Sequence, residues 1–189
     1  MTTLTRLAQA TVLRSTGQGV GPRQVLAQVS GEGADRMNDV VVQAGVDFKS
    51  FMQGGGPVLW NHDPDVPVAR TLWMRIVNGA LTALAQFPEP GVLAESDRVY
   101  SLIRSQIVNS VSIGFRPIER EPIRGGGVRY TEVELIEYSY VSTPAQPSAV
   151  IIGRAHRSPT PTPRLDAARA RLRLMRGEAR RWRARHART

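Results

Sequence analysis

The dipeptide Asn78-Gly79 stands between RTLWMRIV and ALTALAQF. A two-residue Asn-Gly connection takes positive φ at both positions, and its twist matches that of two antiparallel strands. The chain is therefore expected to fold back there as a hairpin. The runs Gln24–Ser30, Val40–Ala44, Val66–Asn78, Leu81–Phe87, Val111–Arg116, Arg129–Glu137 and Tyr138–Ser142 are short and rich in valine, isoleucine and aromatics. Glycine, proline or Asn-Gly bounds them, which is the pattern of strands. One helix is predicted in SDRVYSLIRSQIV, with Ser96 as its cap and Val99, Leu102, Ile103 and Ile107 as one apolar stripe. Many short strands with few helices predict a mainly β, α+β architecture built on a closed or nearly closed β-barrel.

Charge divides the chain. The net charge of +9 comes from the C-terminal end, where residues 154–189 hold twelve arginines against Asp166 and Glu178. The rest is close to neutral. RSPTPTPR, residues 157–164, alternates proline with polar residues and favours an extended linker over helix or sheet. Three segments are expected: a β-barrel body over 1–153, a linker over 154–164 and an arginine-rich tail over 165–189. In the tail, Leu165, Ala168, Leu172, Met175, Ala179, Trp182 and His186 follow a seven-residue repeat. That repeat predicts a helix able to dock on other subunits. An arm that binds DNA by counterion release, or a disordered tail removed by cleavage, are the alternatives.

With no cysteine, disulfides and thiolate chemistry are excluded, and three histidines are too few for a histidine-rich metal site. No metal and no cofactor is expected. The N-terminal MTTLTRLAQATVLRS has no continuous apolar run, and a soluble, cytoplasmic protein is expected.

NSVSIGF, residues 109–115, carries two serines in an apolar run. A serine hydroxyl becomes a nucleophile only beside a base and near oxyanion donors. His62, in GPVLWNHDPDVPVAR, lies after an apolar strand where an Asp-Pro turn is expected to begin, and can hydrogen-bond a turn or reach a cleft. In YTEVELIEYSYVSTPAQPSAV, a period of two puts Val133, Leu135, Glu137, Ser139 and Val141 on one strand face. Glu137 then interrupts an apolar row. Such a glutamate requires a buried partner unless the strand is an edge facing water.

LWNHD, SVSIGF and EVELIEYSYVSTPAQPSA, in that order, resemble the prohead (capsid maturation) protease family of tailed bacteriophages, related in fold to the herpesvirus assemblins. The resemblance covers about residues 20–152, including the upstream VSGEGADRMNDVVVQAGVDFKSFMQ. It implies a serine endopeptidase acting inside the phage procapsid, in the host cytoplasm, on capsid and scaffold proteins and on itself. By position it implies His62 as base, Ser112 as nucleophile and Glu137 as the third member, where assemblins place a second histidine. Assemblins also use arginines just after the third residue; VSTPAQP stands there instead.

In that chemistry Ser112 attacks the scissile carbonyl, His62 moves the proton and Glu137 holds the imidazole. Gly114 is expected to let the backbone approach substrate closely. Ser110 shares a face with Ser112, so alternation does not separate them. Ser139 reads as a small packing residue, Asp63 as turn chemistry and a weaker third member, and His156 and His186 as solvated. A non-catalytic capsid-assembly or scaffolding protein with a basic partner-binding tail is the rival reading. A nucleic-acid-binding barrel would need basic residues across a strand face, which the near-neutral body lacks.

Overall fold

The structure, a computed structural model, describes residues 20–154, so the tail calls, including His156 and His186, lie outside the described residues. Nine strands are described: β1 (Gln24–Ser30), β2 (Val40–Val41), β3 (Val46–Asp47), β4 (Pro57–Trp60), β5 (Asp63–Val77), β6 (Ala80–Gln86), β7 (Ser110–Pro122), β8 (Val128–Val141) and β9 (Val150–Arg154). Two helices join them, α1 (Lys49–Gln53) and α2 (Ala94–Arg104). The fold is mainly β.

The pairings β8-β4-β5-β6-β1-β9-β7 return to β8, so the sheet closes into a ring of strands. Most neighbours are antiparallel, whereas β2, β3 and β4 lie parallel to β8. The β5–β6 hairpin forms as the dipeptide predicts. Val77 faces Ala80, and Asn78 and Gly79 take φ of 52° and 74°.

Alternation fills the ring. Val25, Ala27 and Val29 of β1 meet Leu81, Ala83 and Ala85 of β6 inside, with Ile151 of β9 and Val111 of β7. Phe87 stacks on Tyr140 at 5.4 Å and Phe51 meets Tyr138 edge-on at 6.0 Å. Full burial of side chains of this size contributes about 1.5–3 kcal/mol each. Gln43, in a 3-10 turn, is a buried polar residue whose amide donates to Ser30 Oγ, the Gly31 carbonyl and the Val41 carbonyl at 2.8–3.0 Å.

Three expectations change. The run predicted as two strands, Arg129–Glu137 and Tyr138–Ser142, is the single strand β8. Ser96 does not cap the helix, because α2 begins two residues earlier. Its buried hydroxyl donates to the Val68 carbonyl at 2.6 Å, tying α2 to β5. Ile107 falls beyond the helix and is exposed, while Val99 and Ile103 carry the buried stripe.

A fourth change concerns the faces of β8. Gly114 faces Glu137 but Phe115 faces Leu135, so Ile136 is an extra residue, a β-bulge. An extra residue reverses the parity of everything beyond it. Val133 and Leu135 point into the core before the bulge, and Tyr138 and Tyr140 do so after it. Glu137 therefore does not share a face with Val133 and Leu135. It stands with Ser139 on the face opposite the core tyrosines.

Candidate active site

Three segments converge on this polar face: the β4–β5 turn, β7 and β8. His62 comes from the β4–β5 turn: Trp60 faces Asp63, and the two residues between them, Asn61 and His62, have φ of 51° and 61°. The turn thus lies at Asn-His itself, while Asp63-Pro64, expected to begin the turn, already belongs to β5. Two consecutive residues with positive φ mark a tight hairpin turn of type I′, which fixes the histidine backbone. Its N–H donates to Ser139 Oγ at 3.0 Å, which anchors the turn on β8.

The His62 ring turns to Glu137. Nδ1 lies 2.6 Å from Glu137 Oε1. A carboxylate facing Nδ1 selects the tautomer with the proton there, leaving the Nε2 lone pair free to accept one. The second carboxylate oxygen accepts the Ser139 hydroxyl at 2.8 Å. Ser139 is fully buried and bonded on both sides, so it bridges the His62 backbone and the Glu137 carboxylate rather than only packing, as expected. Sequence reasoning missed this because the role exists only where the turn meets β8.

Glu137 needs space, and Gly114 supplies it. These residues face each other across β7 and β8, and a Cβ on residue 114 would collide with Glu137 Oε1. The φ of Gly114 is not positive, so the requirement is room rather than conformation. Apart from the approach to substrate expected of it, this glycine has an observed role in housing the carboxylate.

Ser112 faces Ser139 directly across the same two strands, next to the Gly114–Glu137 pair, and is 7% exposed. Ser110 faces Val141, one step farther from the polar group. Among the described residues, no hydrogen bond joins Ser112 to His62. The structure therefore brings His62, Ser139 and Glu137 into contact and sets Ser112 beside them. Asp63 is occupied elsewhere, its carboxylate accepting the Asp65 amide at 3.0 Å.

VSTPAQP also has a described role. Gln146 donates to the carbonyls of Gly31 and Gly33 at 2.6 and 2.7 Å and accepts the Gly31 amide at 2.8 Å. Arg36 donates to the Pro144 carbonyl at 3.0 Å through Nε and to the Ala145 carbonyl at 3.1 Å through its amide. The loop after β8 is thereby clamped to the loop after β1, alongside Ser112.

Residues 28–162 match the sequence pattern of the family described as caudovirus prohead serine protease. The chain belongs to that family. The capsid polyprotein of Pseudomonas phage PAJU2 is 35% identical over 122 residues, which cover 62% of this chain. The aligned part spans only 18% of that polyprotein. Membership in the prohead serine protease family agrees with the resemblance carried by LWNHD, SVSIGF and EVELIEYSYVSTPAQPSA.

Proposed function

We propose that this chain is the endopeptidase of procapsid maturation, cutting capsid and scaffold proteins, and itself, within the assembling shell in the host cytoplasm. Ser112 is its nucleophile, His62 its base and Glu137 the residue that orients the base. We read the ring of strands as the closed barrel of the prohead protease and assemblin type. The arginine-rich tail is taken as the segment that recruits the enzyme to capsid or scaffold subunits.

The observation that carries this reading is the 2.6 Å contact between His62 Nδ1 and Glu137 Oε1, next to the Ser112–Ser139 pair. Proton transfer needs the free Nε2 to face the serine hydroxyl. With Glu137 accepting from Nδ1–H, the imidazolium formed on attack is stabilised by a neighbouring negative charge. Ser112 attacks the carbonyl carbon, its proton passes to Nε2, and that proton then goes to the leaving amine. Water hydrolyses the acyl-enzyme by the same steps.

Co-incubation with procapsid subunits tests the proposal. Wild type should shorten them and itself, and Ser112→Ala should do neither. Shortening that persists in Ser112→Ala would mean a contaminant or another nucleophile, and would overturn Ser112 as the nucleophile.

A further inference from the structure

The inner faces of β1 and β6 line the core, and their outer faces are apolar as well. Leu26 of β1 faces Leu84 of β6, which in turn faces Trp73 of β5. Ile152 of β9, an unpaired bulge residue, packs in the same outer cluster. Leu26, Leu84 and Ile152 are 1%, 3% and 1% exposed, although they point away from the core. The described side chains packed on them are Val20, Leu72, Trp73, Val77 and Val150. All five are only partly buried, and they come from the sheet or from the lead into β1. Neither α1 nor α2 contributes to this cluster.

Two donors belong to the same face. Trp73 Nε1 and Arg75 Nε are buried and have no hydrogen-bond partner among the described residues. The Arg75 guanidinium lies over the Trp73 ring at 4.2 Å, so the two donors are neighbours. A buried donor left unpaired is costly, so whatever covers this face should bring acceptors as well as apolar groups.

The course of the chain before β1 points to the cover. The Gln24 amide donates to the Gly21 carbonyl at 3.1 Å, the Gly21 amide donates to Gln24 Oε1 at 2.8 Å, and Arg23 has φ of 53°. This turn reverses the chain and sets Val20 on the outer cluster. The chain thus enters the described structure on this face. Residues 1–19 carry Leu4, Leu7, Val12 and Leu13 among threonines and glutamines, with no acidic residue. From Leu13 to Val20 an extended chain spans about 23 Å. β5 and β9 stand three strand spacings apart, about 14 Å. The segment is long enough to cross the whole face.

We propose that residues 1–19 fold back across the outer face of β5, β6, β1 and β9 as its cover. Their leucine and valine side chains seat on Leu26, Leu84 and Ile152, and their carbonyl groups accept from Trp73 and Arg75. The cover keeps an apolar face of the body from pairing with other copies of the chain.

The test uses the full chain, with Ser112→Ala added so that it stays intact. The protein has no cysteine, so Thr11→Cys gives a single site for a nitroxide. The nitroxide should broaden the methyl signals of Leu26, Leu84 and Ile152 and the Trp73 indole N–H. Broadening there should be several-fold stronger than at Val46 and Val133, on β3 and β8 across the ring. Leu7→Asp together with Leu13→Asp should remove the broadening and speed solvent exchange of the Trp73 indole N–H several-fold, because neither carboxylate can be buried on this face. A second sample mixes nitroxide-bearing chains with isotope-labelled chains that carry no nitroxide. Broadening in that mixture would mean that a second copy covers the face, and would overturn the proposal. Broadening equal at Leu26 and Val46, or absent from both, overturns it as well. Broadening that survives the two aspartates overturns the apolar seating.

Discussion

Gly114 and Glu137 face each other across β7 and β8, and the missing side chain of one holds the carboxylate of the other. Gly114→Ala should therefore expel Glu137 from its place. We expect a loss of about 1–3 kcal/mol from overpacking, and peptide cleavage reduced to the level of a Glu137 variant. Denaturant unfolding and kcat/KM measure the two effects. An alanine variant with wild-type activity would separate Glu137 from catalysis.

Loss of the three proposed catalytic groups should be graded. Ser112→Ala and His62→Ala should each lower kcat by about 10^6, and Glu137→Gln by about 10^4, since the serine–histidine pair survives. All three should keep the wild-type circular dichroism spectrum. Equal losses at all three positions would mean that Glu137 does more than orient the ring.

Ser139→Ala removes both a donor to Glu137 and an acceptor for the His62 amide. We expect destabilisation of about 1–3 kcal/mol from the unpaired groups. The accompanying loss of kcat should be smaller than for Glu137→Gln, because the His62–Glu137 contact remains. Ser139→Thr, which keeps a hydroxyl, should restore part of both.

Arg154 closes β9 by donating to the Ile103 carbonyl and to Asn109 Oδ1, each at 2.7 Å. Its burial lowers its pKa, though it faces no carboxylate in these bonds. A chain ending at Arg154 should be more stable than one ending at Gly153 by about 1–3 kcal/mol, read from thermal unfolding. Both should cleave peptides yet fail to bind procapsid subunits. Binding that survives the truncation would end the recruitment role proposed for the tail.

The Asp97 carboxyl is held below its ordinary pKa of 3.8 by the Gly91 amide first, and then by Arg23. A lowered folded pKa contributes stability that is present above the unfolded value and is lost as pH falls through the folded one. Asp97→Asn should therefore flatten the decline of stability as pH falls below the ordinary carboxyl value of 3.8. An unchanged acid slope would show that these bonds do not couple to folding.

Much of the fold is legible in sequence because its signals are local. Asn78-Gly79 specifies its own turn by backbone sterics, and the short apolar runs QVLAQVS and ALTALAQ declare themselves as strands by their composition and bounding residues. The short motifs around His62, Ser112 and Glu137 likewise identify candidates by residue type and order. What the sequence did not determine is relational. Ile136 looks like any other strand residue, and only its unpaired position opposite Gly114 and Phe115 makes it a bulge that turns Glu137 away from Val133 and Leu135. The roles of Gly114 and Ser139 arise from partners 23 and 77 residues away along the chain. Local sterics act within a few residues and can be read in order. Register, close approach and shared hydrogen bonds exist only once distant strands pair, and that pairing is what tertiary structure decided.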